Sequence, residues 1–371
     1  MDINKKINEL IVGEQYSLSA KEKEKEMFPI LLEQLKNQTK NKIMDSFYKK
    51  LKPLNEIKSL LDVPPIPVSL FKENDLSLVS EEELVRTLTS SGTTSQIKSK
   101  IPIDKTTSFR QSKALANILK NHIGKKRKPM LIIDTEEVNN PKNNKISARG
   151  VAIRGIAQFG KDVTYILDGE ESLILNQKKL EEFAEKYKNQ EIIIFGFTYI
   201  VWTKFHNELK KLKKKFNLKA ELIHSGGWKK LESQKVSKEV FGKEIGETLG
   251  ISPTSVYDMY GMVEQVGVVF IDCEKGNKHM PNFAEVIIRN PLTMNESEIG
   301  ETGLIEILSV LPSSYPGQAL ITEDIGLLAG VDDCECGRKG KYFRFVSRVE
   351  KSEIRGCGDT FMEGKNDTII F

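Results

Sequence analysis

Thr89-Ser90-Ser91-Gly92-Thr93-Thr94-Ser95-Gln96, followed by Lys98 and Lys100, crowds hydroxyls around a single glycine. Backbone N–H and side-chain O–H groups in such a loop can wrap phosphate oxygens, with lysine adding charge. The Gly-Lys-Ser/Thr ending of a Walker loop is missing, and a Ser/Thr/Gly cluster taken alone also reads as a surface turn. A second element is Tyr257-Asp258-Met259-Tyr260-Gly261-Met262-Val263-Glu264. Its aromatic can stack on a flat base, its glycine permits close approach, and Glu264 can hold Mg²⁺ beside a triphosphate. In Thr322-Glu323-Asp324-Ile325-Gly326, Asp324 can accept hydrogen bonds from both ribose hydroxyls. The last element is Ser347-Arg348-Val349-Glu350, then Ile354-Arg355-Gly356-Cys357-Gly358. Each element alone reads equally as a turn or an ion pair; their succession points to a nucleotide.

The cysteines suggest a separate centre. Cys273 with His279, and Cys334 with Cys336, form two close pairs. Three thiolates and one imidazole satisfy tetrahedral Zn²⁺ and leave no open position, so such a metal would be structural. The alternative is a set of ordinary buried cysteines. Cys357 remains, glycine-flanked and two residues after Arg355, a cation that would raise its thiolate fraction. A small residue in a tight turn is the other reading.

These residues need a frame. Met27, Ile30, Leu31, Leu32 and Leu35 recur as one face of a helix, which a Pro-rich connector, Val63 to Val68, ends. Asp104 caps a predicted helix through Phe109, Leu115, Ile118 and Leu119, and Pro129 to Ile133 follows as a strand. Further strands are expected at Glu191 to Phe197, Ala220 to His224 and Ser255 to Tyr260, with a lysine-rich helix from His206 to Phe216. After about Gly261 the texture changes to short β segments: Val266 to Ile271, Ala284 to Arg289 and Gly303 to Leu308. The expected fold is α/β with layered sheets and a small β-rich subdomain. The expected division is a helical segment and connector over 1–68, a main domain over 69–345 (β-rich from about 262) and a short tail over 346–371. The 371 residues, 39% hydrophobic, suffice for a substantial core. A net charge of +4 is small for this length and argues against a dedicated nucleic-acid binder. No leader-like apolar core follows Met1 to Glu9, and no stretch approaches the ~18 apolar residues of a membrane span, so a cytoplasmic protein is expected. Four cysteines in such a chain do not suggest a secreted disulfide framework.

In motif order the chain resembles the adenylate-forming superfamily of acyl-CoA synthetases, luciferases and peptide-synthetase adenylation domains. The carriers are the Thr/Ser-Gly loop, Tyr260-Gly261-x-x-Glu264, Asp324 and Arg348. His224-Ser225-Gly226-Gly227-Trp228-Lys229-Lys230 and Lys351-Ser352-Glu353-Ile354-Arg355-Gly356-Cys357 bring the resemblance closer to the LuxE-type acyl-protein synthetases and to phenylacetate–CoA ligases. The resemblance runs from about Thr87 to Thr360 and implies the N-terminal domain of an adenylate-forming enzyme, its C-terminal domain reduced to a short tail. It implies that Ser90, Ser91, Gly92, Thr93 and Thr94 hold phosphates, with Lys98 nearby. Gly226, Gly227, Asp258 and Tyr260 would frame the adenine, with Gly261 also in the ATP site, Glu264 the Mg²⁺, Asp324 the ribose, and Arg348 the ribose or phosphates. The implied reaction is ATP-dependent activation of a carboxylic acid, a long-chain fatty acid in the LuxE branch, to acyl-AMP. Cys357 would then take the acyl group and deliver it to an acyl reductase partner; the alternatives are a CoA ligase for an acyl or aryl acid, or a nucleotide-binding subunit without chemistry. Phenylacetate-ligase relatives carry segments similar to the Cys/His and Cys-x-Cys-Gly-Arg pair. Ser95 and Ile97 depart from the usual Gly and Pro of the phosphate loop. The catalytic lysine of the larger C-terminal domain has no counterpart, leaving Lys98, Lys100, Lys229, Lys230 or a partner to replace it. An acid-binding wall is expected from Ile192 to Trp202, whose aromatics also read as core.

Overall fold

Capped helices and two kinds of sheet organise the chain. The computed structural model describes residues 2–89, 98–139, 148–228 and 233–349. They fall into two compact units, one gathering the described residues of 1–90, 97–122 and 260–352, the other 123–259.

In the first unit, helices span Ile3–Val12, Ala20–Gln38 and Lys42–Leu51. The second starts at a capping box: Ser19 N–H donates to Glu22 Oε2 at 2.9 Å, and Glu22 N–H donates back to Ser19 Oγ. Met27, Ile30, Leu31 and Leu35 are buried as their periodicity predicts, with Leu32 at the margin. Lys23 is wholly buried on this helix, its ammonium donating to Met280 O at 3.2 Å and lying 3.5 Å from Glu285. The helix thereby grips a mainly antiparallel sheet in the order Lys278–His279, Lys341–Arg348, Ala319–Val331, Thr302–Ser309, Ala284–Arg289. Ile66–Pro67 of the connector pairs in parallel with Leu320 and Ile321, a short edge strand of the kind that tolerates proline.

A hairpin of Leu84–Thr89 and Lys100–Asp104 leads into the helix Lys105–Ile123, where Asp104 caps Thr107 N–H at 2.7 Å. Ile118 and Leu119 are buried, but Phe109 is 58% exposed. Nine residues make two and a half turns, so Phe109 points opposite Ile118, and Lys113 lies 4.4 Å from its ring centroid. The segment expected as a strand from Val266 is extended only over Val269–Ile271. Gly267, at a φ of +90°, turns the chain so closely that a Cβ would stand 2.6 Å from Gln111 Cα.

The second unit is built on parallel strands in the order Val256–Gly261, Lys219–Ser225, Glu191–Phe197, Pro129–Thr135, Lys161–Asp168, with Ile174–Leu175 antiparallel at the edge. Pro129–Thr135 is buried throughout, as a central strand requires. Sequence order reverses between Pro129–Thr135 and Glu191–Phe197, a switch point whose carboxyl end is the usual ligand crevice of an α/β sheet. The lysine-rich helix ends at Lys211 rather than Phe216. Lys213, at a φ of +53°, breaks it, and Lys214 N–H donates to Leu209 O at 2.9 Å, leaving the rest of the lysine run in a loop.

Candidate active site

Asp324 and Arg348 are register partners on adjacent antiparallel strands. That pairing puts Arg348 Nε 3.1 Å from Asp324 Oδ1. The other carboxylate oxygen accepts from Tyr260 O–H at 2.8 Å, and Thr322 Oγ1 accepts from Asp324 N–H at 3.1 Å. Asp324 is 8% exposed, so one guanidinium N–H and one hydroxyl satisfy its two oxygens away from bulk water. Burial and the neighbouring Asp324 carboxylate push the Tyr260 phenol well above its ordinary range, so it stays a donor. Its ring lies nearly parallel to Phe270 at 6.2 Å and tilted against Phe345 at 5.6 Å. Four residues on, Glu264 sits in the turn Val263–Gln265. Its carbonyl accepts from Tyr315 O–H at 2.9 Å, and Gln265 Nε2 donates to Gly317 O. Glu264 is buried and anchored through its backbone. Tyr260, Asp324 and Arg348, separated by up to 88 residues in sequence, thus form one bonded group. Gly261 is exposed beside them, and a Cβ there would come within 3.2 Å of Val269 Cγ1.

In the second unit, the carboxyl ends of adjacent strands gather another set. Gly226 follows Lys219–Ser225 with a φ of +79°, and a Cβ there would stand 3.3 Å from the Phe197 ring; Gly227 faces open space. His224 Nδ1 lies 2.8 Å from Thr198 Oγ1 and 3.8 Å from Asp258 Oδ1, the register pairing of His224 with Asp258 bringing these side chains together. Ser225 Oγ donates to Met259 O at 3.0 Å, tying the same two strands. The His224 ring packs on Phe241 at 4.4 Å within an aromatic group completed by Trp202 and Trp228. Phe195, Phe197 and Tyr199 of the expected acid-binding wall are buried in the core, whereas Trp202 is only half-buried. The Thr198–His224 pair had no role in the sequence reading; a polar residue straight after a buried apolar strand was the available signal.

Ser90, Ser91, Gly92, Thr93, Thr94 and Cys357 lie outside the described residues. Thr89 and Lys100 pair across the hairpin, so the phosphate-loop candidate joins two neighbouring strands, and Lys98 is exposed beside them.

Cys273, His279, Cys334 and Cys336 present ligand atoms that all lie within 4.8 Å of one another, across 63 residues of chain. Two turns deliver the thiols: Gly276 N–H donates to Cys273 O, and Gly337 N–H to Cys334 O, both glycines at positive φ. His279 Nε2 lies 3.2 Å from Cys336 Sγ, and its ring stacks on Tyr342 at 5.2 Å. Burial pushes the Cys273 thiol up to about 12, and burial followed by Arg338 pushes His279 down to about 4. A neutral imidazole suits a metal, and buried thiols become thiolates readily only beside a cation. The donor set therefore fits a closed Zn²⁺ site. Asn277 Nδ2, 3.5 Å from Cys334 Sγ, is a partner the sequence reading missed.

Comparison with known proteins agrees with this fold. A long-chain-fatty-acid–luciferin-component ligase of Vibrio harveyi is 26% identical over 326 residues, covering 84% of this chain and 81% of the relative. The protein of the same name from Aliivibrio fischeri is 22% identical, covering 80% and 77%. In fold, the chain is similar to a 2-hydroxyisobutyryl-CoA ligase solved with its acyl-AMP and CoA, with a TM-score of 0.66 at 15% identity, covering 90% of this chain and 77% of that one. The family profile described as acyl-protein synthetase, LuxE, matches residues 2–365. The chain belongs to the LuxE acyl-protein synthetase family, a family of ligases.

Proposed function

We propose that this chain uses ATP to activate a long-chain fatty acid as acyl-AMP and passes the acyl group to the Cys357 thiol for delivery to an acyl reductase. The observation that carries the reading is the bonded group Tyr260–Asp324–Arg348 in a chain of this family. Asp324 is the ribose acceptor, oriented by the Arg348 N–H bond, and Arg348 offers remaining N–H donors to ribose or phosphate. Gly226 and Gly227 let a flat ligand approach backbone, while Ser90 to Thr94 and Lys98 take phosphates. Glu264 provides one carboxylate, which suits an ion held chiefly by phosphates and water. Mg²⁺, when bound, neutralises charge developing on the triphosphate.

In the first half-reaction an acid carboxylate oxygen bonds to the α-phosphorus as the bond to pyrophosphate breaks. In the second, the Cys357 thiolate bonds to the acyl carbon and AMP leaves with the shared oxygen. An ATP-consuming reaction of this kind suits the cytoplasm. The Cys273–His279–Cys334–Cys336 group holds a structural Zn²⁺ in this reading, far in type from the nucleotide chemistry because no ligand position stays open.

The test is a pyrophosphate-release screen over fatty and aromatic acids, followed by intact mass measurement of wild type and Cys357→Ser. Release with fatty acid, an acylated wild type and an unacylated variant are expected. CoA thioester formed without acyl-enzyme selects the CoA-ligase alternative, and absence of release with every acid selects a non-catalytic binding subunit.

A further inference from the structure

The amino-terminal edge of the parallel sheet, opposite the strand ends that carry Thr198, Ser225 and Gly226, is strongly basic. The strands start level with one another: Pro129 pairs with Lys161, and Glu191 with Lys219. The loops entering them carry Lys125, Lys126, Arg127, Lys161, Lys213 and Lys215, all exposed. None of these six forms an ion pair with a described residue, whereas the neighbouring acids are engaged: Glu191 and Glu221 by Lys128, Glu181 by Lys214, Glu208 by Lys211. Asp162, beside Lys161, accepts from Tyr187 O–H at 3.0 Å. With Lys128, Lys211 and Lys214, nine cations face Glu181, Glu191, Glu208, Glu221 and Asp162 along this edge, a surplus of four that matches the net charge of the whole chain, +4.

We propose that this edge docks on an anionic phospholipid bilayer. Strands ~4.8 Å apart lie inside the ~8 Å screening length of physiological salt, so cations on neighbouring strands act together along a row about 15 Å across. Five of the six are lysines, residues depleted from specific protein interfaces, where arginine and aromatics are enriched. Lysine's flexible point charge suits a fluid array of headgroups, which needs no fixed partner geometry. Leu212, 47% exposed at the head of the lysine loop, adds an apolar group that can enter the headgroup layer. No helix of the described residues is long and apolar enough to cross a membrane, so the contact is peripheral. Docking by this edge leaves the carboxyl ends of the same strands facing away from the lipid. That a bilayer is where the long-chain acid dissolves rests on the function proposed above; the docking itself does not.

The experiment is co-sedimentation of the full chain with vesicles, without ATP or acid, so that its failure is separate from failure of the activity. One set of vesicles is pure phosphatidylcholine; in the other, one headgroup in three is phosphatidylglycerol. Wild type should partition at least about tenfold more onto the anionic vesicles, and salt should weaken the binding. Charge reversal at Lys125, Lys126 and Arg127 to Glu should lower the partition by about a hundredfold, each lost cation alone being worth about fivefold. Lys213→Glu with Lys215→Glu, on a different loop, should act in the same direction, with unchanged thermal unfolding showing that both variants fold. Equal partition onto the two vesicle types, or reversed variants that bind like wild type, overturns the proposal. So does tight binding to soluble polyglutamate without vesicle binding, which would assign the edge to an acidic protein instead.

Discussion

Asp324→Ala and Tyr260→Phe separate the proposed ligand role of the carboxylate from its structural role. Asp324 accepts from Tyr260 at 2.8 Å and from Arg348 at 3.1 Å. Removing it strands the Tyr260 hydroxyl, a cost of ~1–3 kcal/mol, while the partly exposed Arg348 can turn to water and costs little. Tyr260→Phe removes the same 2.8 Å bond but leaves the carboxylate, Arg348 and an aromatic ring in place. Both variants should therefore melt a few degrees lower, by similar amounts. Activity should divide them. Loss of charge-assisted bonds to both ribose hydroxyls, at ~1.5 kcal/mol or more each, predicts at least a tenfold fall in kcat/KM for ATP in Asp324→Ala. Tyr260→Phe should stay within about fivefold of wild type, since it removes ~1 kcal/mol or less from the bound state. The assay is pyrophosphate release across ATP concentrations, beside thermal unfolding of the same preparations. Wild-type release by Asp324→Ala at low ATP would refute the ribose assignment. Equal activity losses in both variants would show that Asp324 only holds the strands together.

Metal analysis of protein purified without chelator should find about one zinc per chain, and Cys334→Ser should lose it and unfold at lower temperature. Metal-free protein of undiminished stability would end the zinc reading. Asp134 is buried beside Arg149 at 3.5 Å, and burial raises it to about 6. Its folded-state value thus exceeds the unfolded ~3.9, so the protonated acid favours folding, and this contribution fades as pH rises from about 4 through about 6, by ~3 kcal/mol in all. Denaturant unfolding of Asp134→Asn should show a smaller loss of stability than wild type between pH 4 and pH 7; parallel curves would show that Asp134 does not carry that slope.

Much of this protein was legible in one dimension. Periodicity and capping are local, so Asp104 capping a helix, Glu191–Phe197 and Ala284–Arg289 stand where the sequence puts them. Residue chemistry was legible too: the spacing of Cys273, His279, Cys334 and Cys336 proposes a ligand set without saying whether it closes. Register decided what remained. Asp324 meets Arg348, and His224 meets Asp258, because strands pair at those residues, and a shift of one position would turn each side chain to the opposite face. Phe109 belongs to the sequence's apolar pattern, yet helix phase, set by the burial of Ile118, turns it outward. Lys125, Lys126, Arg127, Lys161, Lys213 and Lys215 are scattered along the sequence; the alignment of parallel strand starts is what makes them one edge. Sequence fixes what each residue can do, and long-range strand pairing decides which residues do it together, because hydrogen-bond registry joins positions that no local pattern relates.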